Sequence, residues 1–384
     1  MKIVLVVEGV FPEKKGGLER WYKYLSMAFT KQGHNVTYIN FSNVDGARDG
    51  VHYKSIQNNV WQYRIGGVRS KLDSIKFALG AAKILKSLDF DVVYCSSVPI
   101  LSVFTVWNVA RLKRKPVIFE WFEYWSFKYW IQYESKFFGL VGWVLQGMAI
   151  QLGDVRTVFN DKTRDAIRHG IKRENSDLIR MMPGQCGSKS QIKFPEESEI
   201  RNDFIFVGRF VDEKQPNLAI ECAVMLHDSG WTGTLKLFGT GPNLESLETL
   251  IQEKGASGYI HIFDNVTDEV IDTAMDHSFV LFHPTKREGY GFVQVEAAFR
   301  GLPTILIHYP ENASIELGIN PELYAESDEL ELLASTIMNA YTRQGEFRKS
   351  TQNWAVQASE TRSSELSCET ILEIMVELTT PVKA

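Results

Sequence analysis

A segment in the second half of the chain constrains the fold more than any other. Ser278–Phe282 is an apolar run of strand length, and the polar, glycine-containing stretch 285–291 follows it as a loop. From Phe292 the apolar residues recur with helical spacing, and Gly301 predicts the end of that helix, just before another apolar strand. Strand, glycine loop, helix and strand in succession form the repeating unit of a parallel α/β sheet.

The same unit opens the chain. Lys2–Val7 predicts a buried strand, Gly16 and Gly17 open an amphipathic helix, and Asn35–Phe41 predicts the next strand. The chain has 384 residues, too many for one ordinary domain, and its 44% apolar content suffices for two cores. We therefore expect two α/β domains.

Composition excludes several classes of function. A net charge of −5 gives no general footprint for nucleic acid. Four cysteines without paired spacing favour a reducing cytoplasm over a disulfide framework or a zinc site. Because Glu8 interrupts the apolar segment Met1–Val10, we expect a first strand there and not a signal peptide.

Two uncharged runs, Val92–Ala110 and Phe137–Gly153, raise the question of a membrane span. The first contains Pro99 and divides into a strand and a helix, and the second carries two glutamines and several glycines. A spanning helix needs about 20 mostly apolar residues. We expect both runs to be buried or interfacial.

Polar residues ahead of two helical segments predict helix caps. Asn160 is expected to cap a helix extending to His169, and Ser327 a helix over 328–341.

Two carboxylates mark the segment described first. Glu288 lies in the loop, and Glu296 lies in the early turns of the helix. A helix start carries unpaired N–H groups and partial positive charge, and Gly289 and Gly291 permit a close approach, so phosphate suits this place. Since carboxylates repel phosphate, these two acids should face sugar hydroxyls.

Two cations follow the predicted strand 203–208. Arg209 and Lys214 come after its carboxyl end, the edge where parallel sheets bind ligands. Arg with its planar fork and Lys as a point charge together suit a pyrophosphate.

These motifs resemble those of retaining glycosyltransferases of family 4. Glu288 and Glu296, with GYG between them and AFRGLP behind, resemble the Glu-x7-Glu signature. The stretch from Arg209 to Lys214 resembles VGRLxxxKG, and Gly241 lies in a turn resembling GxGP. Upstream, Pro12 with Gly16 and Gly17 resembles PxxGGxE. The loop 264–267 resembles one that contacts the nucleotide base, with Asn265 where glycine is usual.

The resemblance implies an α/β fold of GT-B type, with two Rossmann-like, doubly wound domains facing a central cleft. The first, acceptor-binding domain is expected over 1–185 with a crossing helix at 364–384. The nucleotide-sugar-binding domain is expected over 200–363. The break Pro183–Lys193 resembles the family's hinge.

The family's residue roles carry over to matching positions. Arg209, Lys214 and Glu288 are expected to be catalytic, Glu296 to accept hydrogen bonds from ribose, and no metal is expected. Asp89–Asp91 imitates the Asp-x-Asp metal signature of another glycosyltransferase fold but lies where a strand begins. The full expected nucleotide-sugar set is Gly16, Gly17, Arg209, Lys214, Gly241, Asn265, Glu288, Gly289, Tyr290, Gly291, Phe292, Val293 and Glu296.

The residues expected to bind the acceptor match the family's pattern less closely than those expected to bind the donor. Eight of the 12 residues in 119–130 are aromatic, which suits sugar stacking, a membrane interface or helix packing. Phe122, followed by Glu123 and Trp125, stands where the family often has histidine in HExW. Either Glu120 or Glu123 replaces that histidine, or the histidine is dispensable. The basic run Arg111–Lys115 suits either a helix end or an anionic membrane.

The resemblance implies a retaining, metal-independent glycosyltransferase without a cofactor. The expected donor is a UDP- or GDP-sugar, and the expected acceptor is a glycan or lipid-linked saccharide of cell-surface polysaccharide or glycoconjugate assembly. We expect it in the cytoplasm, either free or peripheral at the inner face of the membrane, with no nucleic-acid partner. The alternative is a nucleotide-sugar-binding protein that has lost catalysis.

Overall fold

The chain folds into two compact units. A computed structural model describes residues 1–14, 16–56, 70–171, 178–196 and 200–380. The first unit runs from Met1 to Gln185 and takes in the segment from Ser364 onward, and the second runs from Cys186 to Ser363. Each unit has its own mainly parallel sheet, which confirms the predicted α/β class.

The strands of the first unit form one sheet in the order β3-β4-β2-β1-β5-β6-β7-β8. The β3–β4 pair is antiparallel and the other pairs are parallel. The strands are β1 (Lys2–Val6), β2 (Asn35–Asn40), β3 (Gly46–Arg48), β4 (Val51–Ser55), β5 (Val92–Ser96), β6 (Val117–Trp121), β7 (Val155–Val158) and β8 (Ile179–Met181).

The helices of the first unit follow these strands in alternation. They are α1 (Gly17–Lys31), α2 (Lys71–Ser87), α3 (Ile100–Lys113), α4 (Phe127–Tyr133), α5 (Lys136–Ala149) and α6 (Asp161–Gly170), with α13 (Ser364–Thr379) returning from the C-terminal segment. The central strands β5, β6 and β7 are buried at every position, because helices cover both faces of a parallel sheet.

The second unit has a six-stranded parallel sheet in the order β11-β10-β9-β12-β14-β16 among its described residues, and a short β13–β15 pair. The strands are β9 (Asp203–Val207), β10 (Thr234–Phe238), β11 (Ile260–Phe263), β12 (Val280–Phe282), β13 (Arg287–Glu288), β14 (Thr304–Ile307), β15 (Glu311–Asn312) and β16 (Tyr324–Ala325). From β9 the chain winds outward to β11, and from β12 it winds the other way. The sheet is therefore doubly wound, with its switch point between β9 and β12.

The helices of the second unit pack on both sides of this sheet. They are α7 (Pro216–Asp228), α8 (Leu244–Glu253), α9 (Asp268–His277), α10 (Phe292–Ala298), α11 (Leu330–Thr342) and α12 (Gln344–Thr361). Phe204, Phe206 and Phe282 lie in the largest core cluster, and Ile205 and Leu281 lie in a second one. Adjacent residues of β9 thus serve opposite faces of the sheet.

The helix caps agree with the sequence in one case and not in the other. Asn160 accepts a hydrogen bond from the Thr163 N–H at 2.7 Å, which confirms it as the cap of α6. The Ser327 cap was wrong: Glu329 precedes α11, and Ser327 Oγ accepts only from the Glu329 N–H at 3.4 Å. Helix α11 begins at Leu330, two residues later than predicted, so Ser327 lies too far from its first turn to cap it.

This difference in capping gives a matched test. Ser135 precedes α5 as Asn160 precedes α6, but its side chain makes no capping hydrogen bond. We expect Asn160→Ala to lower the free energy of unfolding by about 1 kcal/mol and Ser135→Ala to leave it nearly unchanged. Urea midpoints from circular dichroism measure both, and equal losses would contradict the assignment.

Candidate active site

The site residues of the second unit converge because two parallel strands are neighbours. β9 and β12 pair directly, Val280 with Phe204 and Leu281 with Ile205. Their carboxyl ends therefore lie at the same edge, and the loops after Val207 and Phe282 run side by side. This edge is the switch point, where the connections leave in opposite directions and a crevice opens.

Lys214 and Glu288 meet across these two loops. The Lys214 Nζ lies 2.6 Å from Glu288 Oε2 and 3.4 Å from the Arg287 carbonyl oxygen. The side chains are only 12% and 21% exposed, respectively, so water screens the pair weakly. The two residues that the sequence singled out in separate motifs thus form one charge pair.

A second chain of charges lies beside this pair. Glu213 accepts hydrogen bonds from Arg287 through both carboxylate oxygens, at 3.1 and 3.2 Å, and lies 3.1 Å from the Arg209 guanidinium. The Glu213 carbonyl oxygen also accepts from the Lys286 N–H at 2.8 Å. Glu213 therefore clamps the two loops together and holds Arg209, whose side chain remains 53% exposed.

A buried histidine lies behind the pair. His283 Nε2 lies 3.8 Å from Glu288 Oε2, and neither ring nitrogen has a hydrogen-bond partner among the residues that the structure describes. Burial lowers the pKa of His283, and the neighbouring Glu288 carboxylate only partly offsets that effect. The imidazole is therefore neutral at physiological pH.

The charges fix the protonation state of both carboxylates. Burial alone would raise the pKa of Glu288, but the adjacent charge of Lys214 outweighs it and holds that pKa well below its ordinary value. Burial likewise acts to raise the pKa of Glu213, but the charges of Arg287, Lys214 and Arg209 outweigh this effect. The pKa of Glu213 is therefore lowered. Both acids are ionised at neutral pH.

The glycine turn after Glu288 contains a residue in the left-handed backbone region. Gly291 has φ +97°, a left-handed value that suits glycine, and it precedes α10 directly. A buried relay supports the turn: Gln294 Nε2 donates to Ser314 Oγ at 2.7 Å, and Ser314 Oγ donates to Asn312 Oδ1 at 2.6 Å. Sequence analysis did not single out Gln294 or Ser314.

The other predicted residues of this segment differ in exposure. The Gly289 N–H donates to Glu288 Oε1 at 3.2 Å, and Phe292 and Val293 are half-buried at the start of α10. Glu296 is half-buried on the same helix. Tyr290 is nearly buried, with its hydroxyl 3.6 Å from Cys186 Sγ, which gives that side chain a packing role.

Gly241 and Asn265 follow neighbouring strands at the same edge. A Cβ on Gly241 would lie 2.4 Å from the Phe210 carbonyl oxygen, so this glycine lets the loop that carries Arg209 pack closely. Asn265 has φ +53°, a left-handed conformation that asparagine tolerates better than most residues. That explains asparagine at a position where the family usually has glycine.

Gly16 and Gly17 lie in the first unit, at the start of α1. Gly16 has an extended backbone with φ −166°, so its conformation does not require glycine. The neighbouring side chains are charged: Lys14 forms ion pairs with the buried carboxylates of Glu8 and Glu19. This loop is therefore lined by acids as well as by the backbone groups that the sequence assigned to phosphate.

Glu120 lies in the interior of the first unit. It is fully buried on β6 and accepts hydrogen bonds from Trp21 Nε1 and Tyr94 OH, each at 2.6 Å. Burial raises its pKa to about 8, although these hydrogen bonds act in the opposite direction. The Glu120 carboxyl is thus enclosed by protein, whereas Glu123, the other candidate for the place of the family's histidine, is half-buried.

The three other acceptor-side candidates lie close to one another. Phe122 stacks on Phe159 with ring centroids 5.4 Å apart. Glu123 accepts from Trp125 Nε1 at 2.7 Å, and the Trp125 ring packs against Trp130 at 4.6 Å between centroids. All three are half-buried.

No grouping of three metal-ligating side chains occurs within the described ranges.

Sequence reasoning singled out Arg209, Lys214 and Glu288 but missed the residues that contact them. The sequence does contain a signal for these contacts. Glu213–Lys214 and Arg287–Glu288 are adjacent residues of opposite charge, and in the structure the two pairs form ion pairs with each other.

Two family models match the chain, one in each of its two units. Residues 15–180 match the model of Glycosyltransferase Family 4, and residues 188–353 match that of Glycosyl transferases group 1. The structure resembles sucrose-phosphate synthase from Thermosynechococcus elongatus, with TM-score 0.78, 17% identity and 98% of each chain covered. It also resembles HepE from Anabaena in complex with UDP and glucose, with TM-score 0.75, 14% identity, and 98% of this chain and 100% of that chain covered.

Among curated proteins, the alpha-monoglucosyldiacylglycerol synthase of Acholeplasma laidlawii is 29% identical over 136 residues. That match covers 34% of each chain, so the match spans about a third of this relative. A match to the GtfA subunit of a Streptococcus gordonii peptide N-acetylglucosaminyltransferase, 27% identical over 119 residues, covers 31% of this chain and 23% of that protein.

The fold is that of GT-B glycosyltransferases, and the two family matches also give the class as glycosyltransferase. Within that class, the chain belongs to glycosyltransferase family 4, as its two family matches show.

The ion pair at the site predicts a pH dependence of stability. Because the pKa of Glu288 is lowered in the folded state, its contribution is present above the ordinary value of 4.5 and is lost as pH falls below it. We expect Glu288→Gln to be less stable than the wild type at pH 7, with the difference shrinking towards pH 3. Chemical unfolding at both pH values measures this, and a constant difference would contradict the pairing.

Proposed function

We propose that the protein is a retaining, metal-independent glycosyltransferase acting from a UDP- or GDP-sugar, with no cofactor. The convergence of Lys214, Glu288 and Arg209 at the switch point of the second sheet carries this proposal. Breaking the bond between the sugar and the diphosphate builds negative charge on phosphate and positive charge on the ring. The site offers cations for the first and a carboxylate for the second.

The division of roles follows from exposure and charge. Arg209 is the exposed cation, and Lys214 lies deeper, already paired with Glu288. Both would stabilise the leaving diphosphate, together with backbone groups of the glycine turn 289–291. In this assignment, the cationic side chains of Arg209 and Lys214 take the place of a metal ion.

Glu288 and Glu296 would contact the sugars of the donor. Glu288 is ionised, so it can stabilise a ring cation and accept hydrogen bonds from the transferred sugar. Glu296, further along α10, would accept hydrogen bonds from the ribose hydroxyls. Asn265 and Gly241 would line the nucleotide side of the same edge.

Retention follows if the acceptor attacks the face from which the diphosphate departs. The bond from C1 to the phosphate oxygen breaks, the acceptor oxygen bonds to C1, and a phosphate oxygen takes the acceptor proton. No side chain is then needed as a base, which suits Phe122 at the position where the family often has histidine.

The acceptor is a glycan or lipid-linked saccharide of cell-surface polysaccharide or glycoconjugate assembly. The name of the Acholeplasma laidlawii relative supports a lipid, since it describes a glucosyldiacylglycerol synthase. Such an acceptor would keep the protein at the cytoplasmic face of the membrane. Glu123 and Trp125 are the acceptor-side residues that remain accessible.

The leaving-group assignment predicts a loss of turnover in Arg209→Ala. A thermal-shift panel of UDP, GDP, ADP and TDP sugars first identifies the donor. Removing one preorganised donor to developing charge costs about 3–4 kcal/mol, so we expect kcat to fall by about 10²–10³. Lys286→Ala, which removes an exposed lysine of the neighbouring loop, is the control and should retain wild-type kcat.

Equal kcat in Arg209→Ala and the wild type would sink the assignment. Donor binding by the wild type without transfer to any acceptor extract would favour the alternative, a binding protein that has lost catalysis.

Stereochemistry and chelation test the remaining two claims. We expect the first product formed from an α-linked donor to be the α-anomer in proton NMR spectra, and activity to survive excess EDTA. A β-anomer would refute retention, and loss of activity that manganese restores would refute metal independence.

A further inference from the structure

Helix α5 has its small residues inward and its large apolar residues outward. Its buried positions are Gly139, Gly142, Gln146 and Ala149. Its exposed side chains, 39–69% accessible, are Phe137, Phe138, Leu140, Val141, Trp143, Val144 and Met148. A helix packed on a protein core has the opposite arrangement.

Close packing on α4 fixes this orientation. A Cβ on Gly139 would lie 2.6 Å from the Trp130 carbonyl oxygen, and one on Gly142 would lie 2.5 Å from the Trp130 ring. Only a face without side chains can approach α4 so closely. Turning α5 to bury its large residues would break this contact, so their exposure is built into the fold.

The exposure extends to the neighbouring helices. On α4, the exposed Phe127 packs on Trp143 with centroids 5.5 Å apart. Lys71, at the start of α2, lies with Nζ 3.3 Å above the Phe138 ring and so joins α2 to α5. The exposed large apolar residues of α2 are Leu72, Ile75 and Leu79. The exposed apolar side chains of α2, α4 and α5 are termed the apolar surface.

A groove adjoins the apolar surface between α3 and α5. It has a volume of about 500 Å³ and is lined mainly by Phe104, Trp107, Met148 and Leu152. The surface thus combines protruding aromatic rings with an apolar depression.

The helices that carry the apolar surface are strongly basic. Helices α2, α4 and α5 hold six lysines and one acid, Asp73, although the whole chain has a net charge of −5. A second acid, Glu134, lies between α4 and α5 and pairs with Lys71 at 2.8 Å. On α2 the exposed stripe continues from Leu79 to Lys83 and Lys86, in helical register. Lys128 and Lys136 flank the apolar residues of α4 and α5 and are exposed.

We propose that the apolar surface docks on an anionic lipid bilayer, with α5 lying in the plane of the headgroups. An apolar face rimmed by lysines is what such an interface attracts. A helix of 14 residues is about 21 Å long, against about 30 Å of hydrocarbon, and no helix in the described part of the chain meets the requirements of a span.

Charge also decides against a second copy of the chain as the occupant. A symmetric dimer would bring two like-charged surfaces together, and they repel. The inference rests on the proposed function for a membrane-borne acceptor, but vesicle binding is measured without any transfer.

Co-sedimentation of the full chain with vesicles tests the proposal. We expect binding to phosphatidylcholine vesicles that contain about a third phosphatidylglycerol and little binding to pure phosphatidylcholine. Raising the salt from about 0.1 to 0.5 M should weaken binding, since screening shortens the reach of the lysines. Absence of binding, or equal binding to both vesicles, would overturn the proposal.

Two sets of variants locate the surface. The triple variant Phe137→Ser, Val141→Ser, Val144→Ser should lower the partition coefficient at least about tenfold. Lys76→Gln, Lys83→Gln and Lys86→Gln should each lower it about fivefold. The double variant Val270→Ser, Val376→Ser, which alters two exposed valines on other helices, is the control and should bind as the wild type does.

Circular dichroism and nucleotide binding by the same samples show whether each variant is folded. Unchanged vesicle binding by the folded triple variant would overturn the proposal. It would also be overturned if the wild type formed a dimer that the triple variant does not form and showed no affinity for vesicles. Nucleotide binding without vesicle binding refutes only the membrane proposal, and vesicle binding without nucleotide binding refutes only the proposed function.

Discussion

The parallel pairing of β9 with β12 is the constraint on which the candidate site depends. The two strands are far apart in sequence, yet Leu281 lies opposite Ile205 and both strands end at one edge. Because the sheet is wound outward from this pair in both directions, no crossover connection covers the space above them. The loops carrying Lys214 and Glu288 are thereby forced together, and their 2.6 Å contact follows from topology.

Alternation of charge makes this arrangement stable before any substrate arrives. Arg209, Glu213 and Arg287 form one chain and Lys214 and Glu288 another, so each of these five charges has an opposite neighbour. A buried single charge would be costly, whereas a buried pair with further hydrogen bonds is tolerable. A diphosphate would add negative charge where Arg209 is exposed. The same paired cations can then serve folding and leaving-group stabilisation.

Local patterns predicted the local structure, and they failed where the result depends on tertiary pairing. The apolar runs of β9, β10 and β12 and the glycine turn near Gly291 were legible because burial and backbone conformation leave traces in sequence. His283, Glu213 and Arg287 were missed because their partners depend on strand order. The burial of Glu120 was not foreseen, because a lone acid on a strand does not reveal that both faces of that strand are covered. For α5, composition predicted a buried or interfacial helix, but only the glycine contacts with Trp130 show which face is outward.

A crystal structure of the full chain with its nucleoside diphosphate tests the central claim most directly. The account predicts the β-phosphate at the switch-point edge of the second sheet, with Arg209 and Lys214 in hydrogen-bonding reach of it. A diphosphate bound away from both loops, leaving the Lys214–Glu288 contact and the Arg209 guanidinium untouched, would contradict it.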